Sequence, residues 1–256
     1  MNYILATSRG RDLQPKLVNN TTWMCVRPGA KLTQLKQCAK EVLLTANKQG
    51  KAPGHVYYMA GIPDLTTKIR GDDSYQEVVF MGTPLTTVPI LEKEIISTAS
   101  MTFKQGWTPV FCTITPMSLR DWNSADRTPY ILHHNQYEDM QVLLENSVIA
   151  ANNVIRSINK SNRVYTPNLQ RQIVKTKNGK TKFLYNRLPD GCHPCESVVN
   201  EWAKIMKRSM SENDQRTAFD PAERIRTPKE TESYLGFPTE DSETDSDSET
   251  LHKRRW

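Results

Sequence analysis

Three residues in two distant segments of this chain have the types needed for nucleophilic acyl transfer. Ser8 stands in Ala6-Thr7-Ser8-Arg9-Gly10, directly after a short apolar run. Asp190 and His193 stand three apart in Leu188-Pro189-Asp190-Gly191-Cys192-His193-Pro194. A serine on a strand-to-helix turn exposes its hydroxyl beside backbone N–H groups; a histidine can take the proton, and an aspartate can hold the other imidazole nitrogen. Each residue also has a plainer use. Ser8 can cap a helix, Asp190 can open a turn with Gly191, and His193-Pro194 can begin a helix. Taken one by one the plain uses prevail; taken in this order along the chain, the site does.

The elements that must position these residues alternate short β-rich runs with helical periodicity, the pattern of a parallel sheet covered by helices. Strands are expected at Tyr3-Ile4-Leu5-Ala6, Trp23-Met24-Cys25-Val26, 55–60 and 109–114, with a fifth at Val164-Tyr165 and an edge or hairpin strand at 76–80. Apolar residues at three-and-four spacing predict helices over 32–46, 85–104, 130–159 and 197–210. Asn178-Gly179 marks a small hairpin within 170–185. In open parallel sheets, sites form beyond the carboxyl ends of the strands. Ser8, Gly29 and the turn Gly61-Ile62-Pro63-Asp64 follow the first, second and third strands at that edge.

This arrangement resembles the SGNH (GDSL-like) hydrolases, a superfamily of esterases, lipases and acyl hydrolases, over about residues 2–208. The resemblance implies a three-layer, flavodoxin-like α/β sandwich with a mostly parallel central sheet. It implies Ser8 as nucleophile, although Ala6 and Thr7 replace the family's Gly-Asp before the serine. Gly29 fits the glycine whose N–H joins that of Ser8 in the oxyanion hole. The family's Gly-x-Asn-Asp block is met at Gly61 and Asp64, but Pro63 stands where the asparagine donor belongs. Asp-x-x-His-Pro is met in full by Asp190, His193 and Pro194. The implied function is an ester or acyl hydrolase working through an acyl-enzyme on a small-molecule or acyl-ester substrate, attenuated by the missing donor. Neither a metal nor an organic cofactor is expected. Asp64 is expected to shape its loop rather than react.

Rival chemistry at Cys192-His193-Pro194-Cys195 fits less well. A redox Cys-x-x-Cys of the thioredoxin type sits early in its fold, and a zinc site would need His133, His134 or Cys112 to converge from elsewhere. Trp122, Tyr130 and Tyr137 surround the loop after the fourth strand, where they either line an acyl pocket or pack the core.

Charge divides the chain. Residues 209–256 hold 12 Asp/Glu and 7 Lys/Arg, or −5, leaving 27 Lys/Arg and 16 Asp/Glu, or +11, for 1–208. The first part is expected to fold as one domain. The second, ending in the acidic Ser242-Glu243-Thr244-Asp245-Ser246-Asp247-Ser248-Glu249 run, is expected to be a disordered tail. A basic body also suits binding to polyanions, so the alternative function is a non-catalytic SGNH-like module of a mobile element or virus that binds nucleic acid or protein. No run of 18 apolar residues exists, so no membrane span is expected. Five cysteines, an odd number, and no secretory leader point to an intracellular protein, cytoplasmic or, through Lys253-Arg254-Arg255, nuclear.

Overall fold

A computed structural model of the protein describes residues 1–70, 76–80, 82–124, 134–178 and 180–219. In chain order its elements are β1 (Asn2–Ala6), α1 (Gln14–Leu17), β2 (Thr22–Val26), α2 (Leu32–Lys48), β3 (His55–Met59), α3 (Ile62–Leu65), β4 (Thr67–Arg70), β5 (Gln76–Val79), α4 (Pro84–Lys104), β6 (Thr108–Phe111), α5 (Leu119–Ser124), α6 (His134–Ser161), β7 (Val174–Lys177), β8 (Lys180–Phe183) and α7 (Glu196–Phe219). The central sheet is parallel throughout, in the order β2-β1-β3-β6. Two antiparallel hairpins, β4-β5 and β7-β8, stand apart from it.

Alternation along the strands builds a core on each face. Tyr3, Leu5, Val56, Tyr58 and Phe111 pack beneath α2, α4 and α6. Ile4, Ala6, Tyr57, Met59 and Val110 meet Leu17 of α1 and Val199, Trp202 and Met206 of α7. A sheet buried on both faces needs near-continuous apolar strands, which is how β1 and β3 read. The result is the three-layer α/β sandwich expected from the sequence.

Three amide side chains on one face of α6 hold the chain that emerges from β6. Asn159 accepts from the Phe111 N–H at 3.0 Å and donates to its carbonyl at 2.7 Å. Asn152 does the same for Ile114, at 2.6 and 2.8 Å. Gln141 accepts from the Leu119 N–H and donates to the Met117 carbonyl. Positions 152 and 159 are two turns apart, so they face the same way. Their side chains supply the hydrogen bonds that a further strand would have given this edge, and buried backbone polar groups require such partners.

Val164-Tyr165 is therefore not the expected fifth strand. The Tyr165 N–H donates to Asn213 Oδ1 at 2.6 Å, and its carbonyl accepts from Ser209 Oγ at 3.2 Å. Those two residues lie in α7, which continues past residue 210 to Phe219. Ser209, Met210 and Asn213 are buried, and Asn213 also donates to the Tyr57 hydroxyl at 3.0 Å. Asp214 reaches His55 at 3.2 Å and Asn2 at 3.4 Å. The folded part thus extends into the stretch expected to be tail; residues 220–256 lie outside the described residues. Among the described residues no helix is long and apolar enough to cross a membrane.

Candidate active site

The register of the sheet sets the site's geometry. Ala6 pairs with both Val26 and Met59, so β1, β2 and β3 end at one level. Ser8, Gly29 and Gly61 then leave three adjacent strands at the same edge. This is where the winding direction reverses, the switch point of a doubly wound sheet.

Ser8 is the first residue of a 3-10 helix, Ser8–Leu13, and Thr7 occupies the capping position. Its role is therefore not that of a cap. An N–H in the first turn of a helix has no partner within the helix. Ser8 is half-buried, and among the described residues its hydroxyl makes no hydrogen bond. Gly29 lies in an exposed turn at φ +68°, a conformation that side chains with a Cβ rarely adopt.

Asp190 and His193 are joined directly. His193 Nδ1 lies 2.6 Å from Asp190 Oδ2, while Asp190 Oδ1 accepts the backbone N–H groups of Cys192 and His193 at 2.9 and 2.6 Å. Burial works against ionisation of Asp190, but the bonds from the His193 ring and these two N–H groups outweigh it and hold the carboxyl below the usual carboxylate range. The opposite ring nitrogen, Nε2, is shielded from solvent and has no hydrogen-bond partner among the described residues. The Trp122 ring lies 5.5 Å from the imidazole, tilted by 59°. Gly191, at φ +77°, lets the loop lie against α5: a Cβ there would stand 2.6 Å from the Trp122 nitrogen and 2.8 Å from the Ser118 carbonyl. The Gly191 carbonyl accepts the Ser118 N–H at 2.8 Å.

Arg9 links the two halves. Its buried guanidinium donates to the Thr115 carbonyl and hydroxyl, to the Pro116 carbonyl at 3.1 Å and to Cys192 Sγ at 3.5 Å. The turn after β1, the loop after β6 and the Asp190–His193 loop are thereby tied together. Ser8 itself makes no hydrogen bond to His193.

The third turn departs from the family pattern in an orderly way. Pro63 lies in the first turn of α3, where its missing N–H costs nothing. Asp64 Oδ1 accepts the Leu32 N–H at 2.9 Å, at the start of α2, so this carboxylate fixes the helix that follows Gly29. Burial, opposed by the Leu32 N–H, pushes the Asp64 carboxyl up to about 6.

Of the aromatic candidates, Trp122 packs on His193, Tyr137 of α6 is buried in the core, and Tyr130 lies outside the described residues. Cys192 and Cys195 are free thiols with separate partners, Arg9 for the first and Ser197 Oγ, at 3.2 Å, for the second. Cys112 is buried beside Met206, and His133 falls outside the described residues. Among the described residues no group of three metal-ligating side chains converges. The clamp made by Arg9 was not read from the sequence. An arginine directly after the candidate nucleophile was the only hint.

No protein-family model and no curated protein matches the chain. Solved structures do. A GDSL-like lipase from Bacteroides thetaiotaomicron superposes with a TM-score of 0.53 at 13% identity, over 82% of this chain and 87% of that one. A protein classed as an acylhydrolase from Bacteroides fragilis gives a TM-score of 0.53 at 11% identity, over 82% and 86%. At such identities the likeness is one of fold. This chain has the α/β fold of these two structures.

Proposed function

We propose that this protein is a serine acyl hydrolase in which Ser8 is the nucleophile, His193 the general base and acid, and Asp190 the group that orients His193. The observation that carries this reading is the Asp190–His193 pair. An ionised carboxylate on Nδ1 fixes the tautomer that leaves the Nε2 lone pair free, and Nε2 is shielded and without a partner among the described residues. The Arg9 bridge between the neighbours of Ser8 and His193 supports the same pairing.

In the proposed reaction, Ser8 Oγ attacks the acyl carbon while His193 Nε2 takes its proton. The N–H groups of Ser8 and Gly29 bind the developing oxyanion. Collapse breaks the ester bond, and the leaving alkoxide takes the proton from Nε2. Water, deprotonated by His193, then releases the acid and regenerates Ser8. Because Pro63 offers no donor, the hole has two members, and the loss of one donor lowers kcat by about 10²–10³-fold. The substrate class is an ester or acyl group on a small molecule.

A panel of p-nitrophenyl esters tests this reading. Wild type is expected to hydrolyse at least one ester well above Ser8→Ala; equal rates for the two proteins across the panel would remove the enzymatic reading.

A further inference from the structure

The β7-β8 hairpin presents a face made of lysines. Its register sets Lys175 opposite Lys182 and Lys177 opposite Lys180. Residues two apart on one strand, and residues directly opposed across a pair, share a face. All four lysines therefore stand on the same side, and all four are exposed. Among the described residues none of them has an ion-pair or hydrogen-bond partner. The other face carries Val174, Thr176, Thr181 and Phe183, with the two threonine hydroxyls 3.3 Å apart.

Like charges directly opposed across strands disfavour pairing. The hairpin holds two such pairs, and no carboxylate among the described residues pairs with any of these lysines. The base is nonetheless fixed to the body. Ile173 is buried in the core beside α7, and the Tyr185 hydroxyl donates to Glu145 Oε1 of α6 at 2.6 Å. An arm whose lysine face lacks a carboxylate partner among the described residues suits an anionic ligand.

We infer that the lysine face of this hairpin is a docking surface for the phosphate backbone of single-stranded nucleic acid. Lysines along each strand repeat at about 6.8 Å, and the two rows stand about 5 Å apart. The patch is small, so it contacts a short run of phosphates on one backbone, which a flexible single strand can lay along the arm without the fixed curvature of a duplex. No aromatic or aliphatic side chain shares the lysine face, so it has nothing to insert into a bilayer. This surface is separate from the proposed hydrolase site and does not depend on it.

The test is fluorescence anisotropy of the full chain with a labelled oligouridylate of about 20 nucleotides, between about 50 and 200 mM salt. The quadruple variant Lys175→Gln, Lys177→Gln, Lys180→Gln, Lys182→Gln is compared with a control that removes the same charge elsewhere: Lys40→Gln, Lys48→Gln, Lys51→Gln, Lys93→Gln, all exposed positions. The hairpin variant should bind about ten-fold or more weakly at the lowest salt, and its log–log salt slope should fall by about 0.7 for each phosphate no longer neutralised. The control should bind as wild type does. The hairpin variant should melt at or above the wild-type Tm, since it loses only repulsion. Absence of binding by wild type, equal weakening in the control, or tighter binding to a duplex or to anionic phospholipid vesicles would overturn the inference. Fluorophosphonate labelling of Ser8 on the same samples reports on the hydrolase reading alone, so the two stand or fall separately.

Discussion

Arg9 Nη2 lies 3.5 Å from Cys192 Sγ, so the residue after Ser8 touches the residue before His193. The guanidinium is buried and, among the described residues, bonded otherwise only to neutral acceptors, Thr115 and Pro116. Its planar array of donors spans three loops that the sheet alone would leave unconnected. Arg9 thus acts on the proposed chemistry by position.

Replacing Arg9 with methionine keeps the stem and removes every donor. Two carbonyls would lose a charged partner in a buried setting, at a cost of about 2–4 kcal/mol. Urea unfolding should show that loss, and ester hydrolysis should fall by about ten-fold or more. Arg9→Lys should recover little of either, because one ammonium cannot reach all three loops. Wild-type stability in Arg9→Met would refute the clamp.

Pro63→Asn should raise activity. The substitution puts a side-chain donor where the two-member oxyanion hole lacks one, and such a donor is worth about 10²–10³ in kcat when well aimed. A gain of about ten-fold or more in kcat with KM little changed is expected. An unchanged kcat would show that the turn does not face the oxyanion.

The Asp64 carboxyl titrates near 6 in the fold, above its ordinary value of 3.8. The folded state therefore binds more protons than the unfolded state between these values, and stability falls as pH rises through that window. Asp64→Asn keeps an oxygen for the Leu32 N–H and abolishes the titration. Its stability relative to wild type should increase by about 1–3 kcal/mol from pH about 4 to pH about 7. Parallel denaturation curves at the two pH values check this. A constant difference between the two proteins would contradict it.

Asn159→Leu should destabilise the fold without touching the site's own residues. It leaves the buried N–H and carbonyl of Phe111 unpaired at the sheet edge, a cost of about 2–4 kcal/mol. The midpoint of chemical denaturation measures it; a loss below about 0.5 kcal/mol would mean that the amide does not serve as an edge partner.

The parts of the fold that read easily were those whose burial is apolar. Tyr3-Ile4-Leu5-Ala6 and His55–Met59 are buried on both faces and show it in their composition. The parts that read poorly were held by buried polar side chains. Ser209 and Asn213 resemble the start of a solvated tail, yet both are buried and bond to Tyr165, which in turn no longer needs a strand partner. Asn152 and Asn159 look like polar interruptions in a helix, and they are what terminates the sheet. At the candidate site, Asp190 and His193 were legible because their bond is local, three residues apart. Arg9 was not, since its partners lie 106 to 183 residues away.

The most direct measurement is reaction of the full chain with a fluorophosphonate, followed by mass-spectrometric mapping of the modified residue. Covalent labelling confined to Ser8, abolished in Ser8→Ala and strongly slowed in His193→Ala, is the expected result. Labelling at another serine, or no labelling of folded protein, would contradict the assignment of Ser8 as a nucleophile activated by His193.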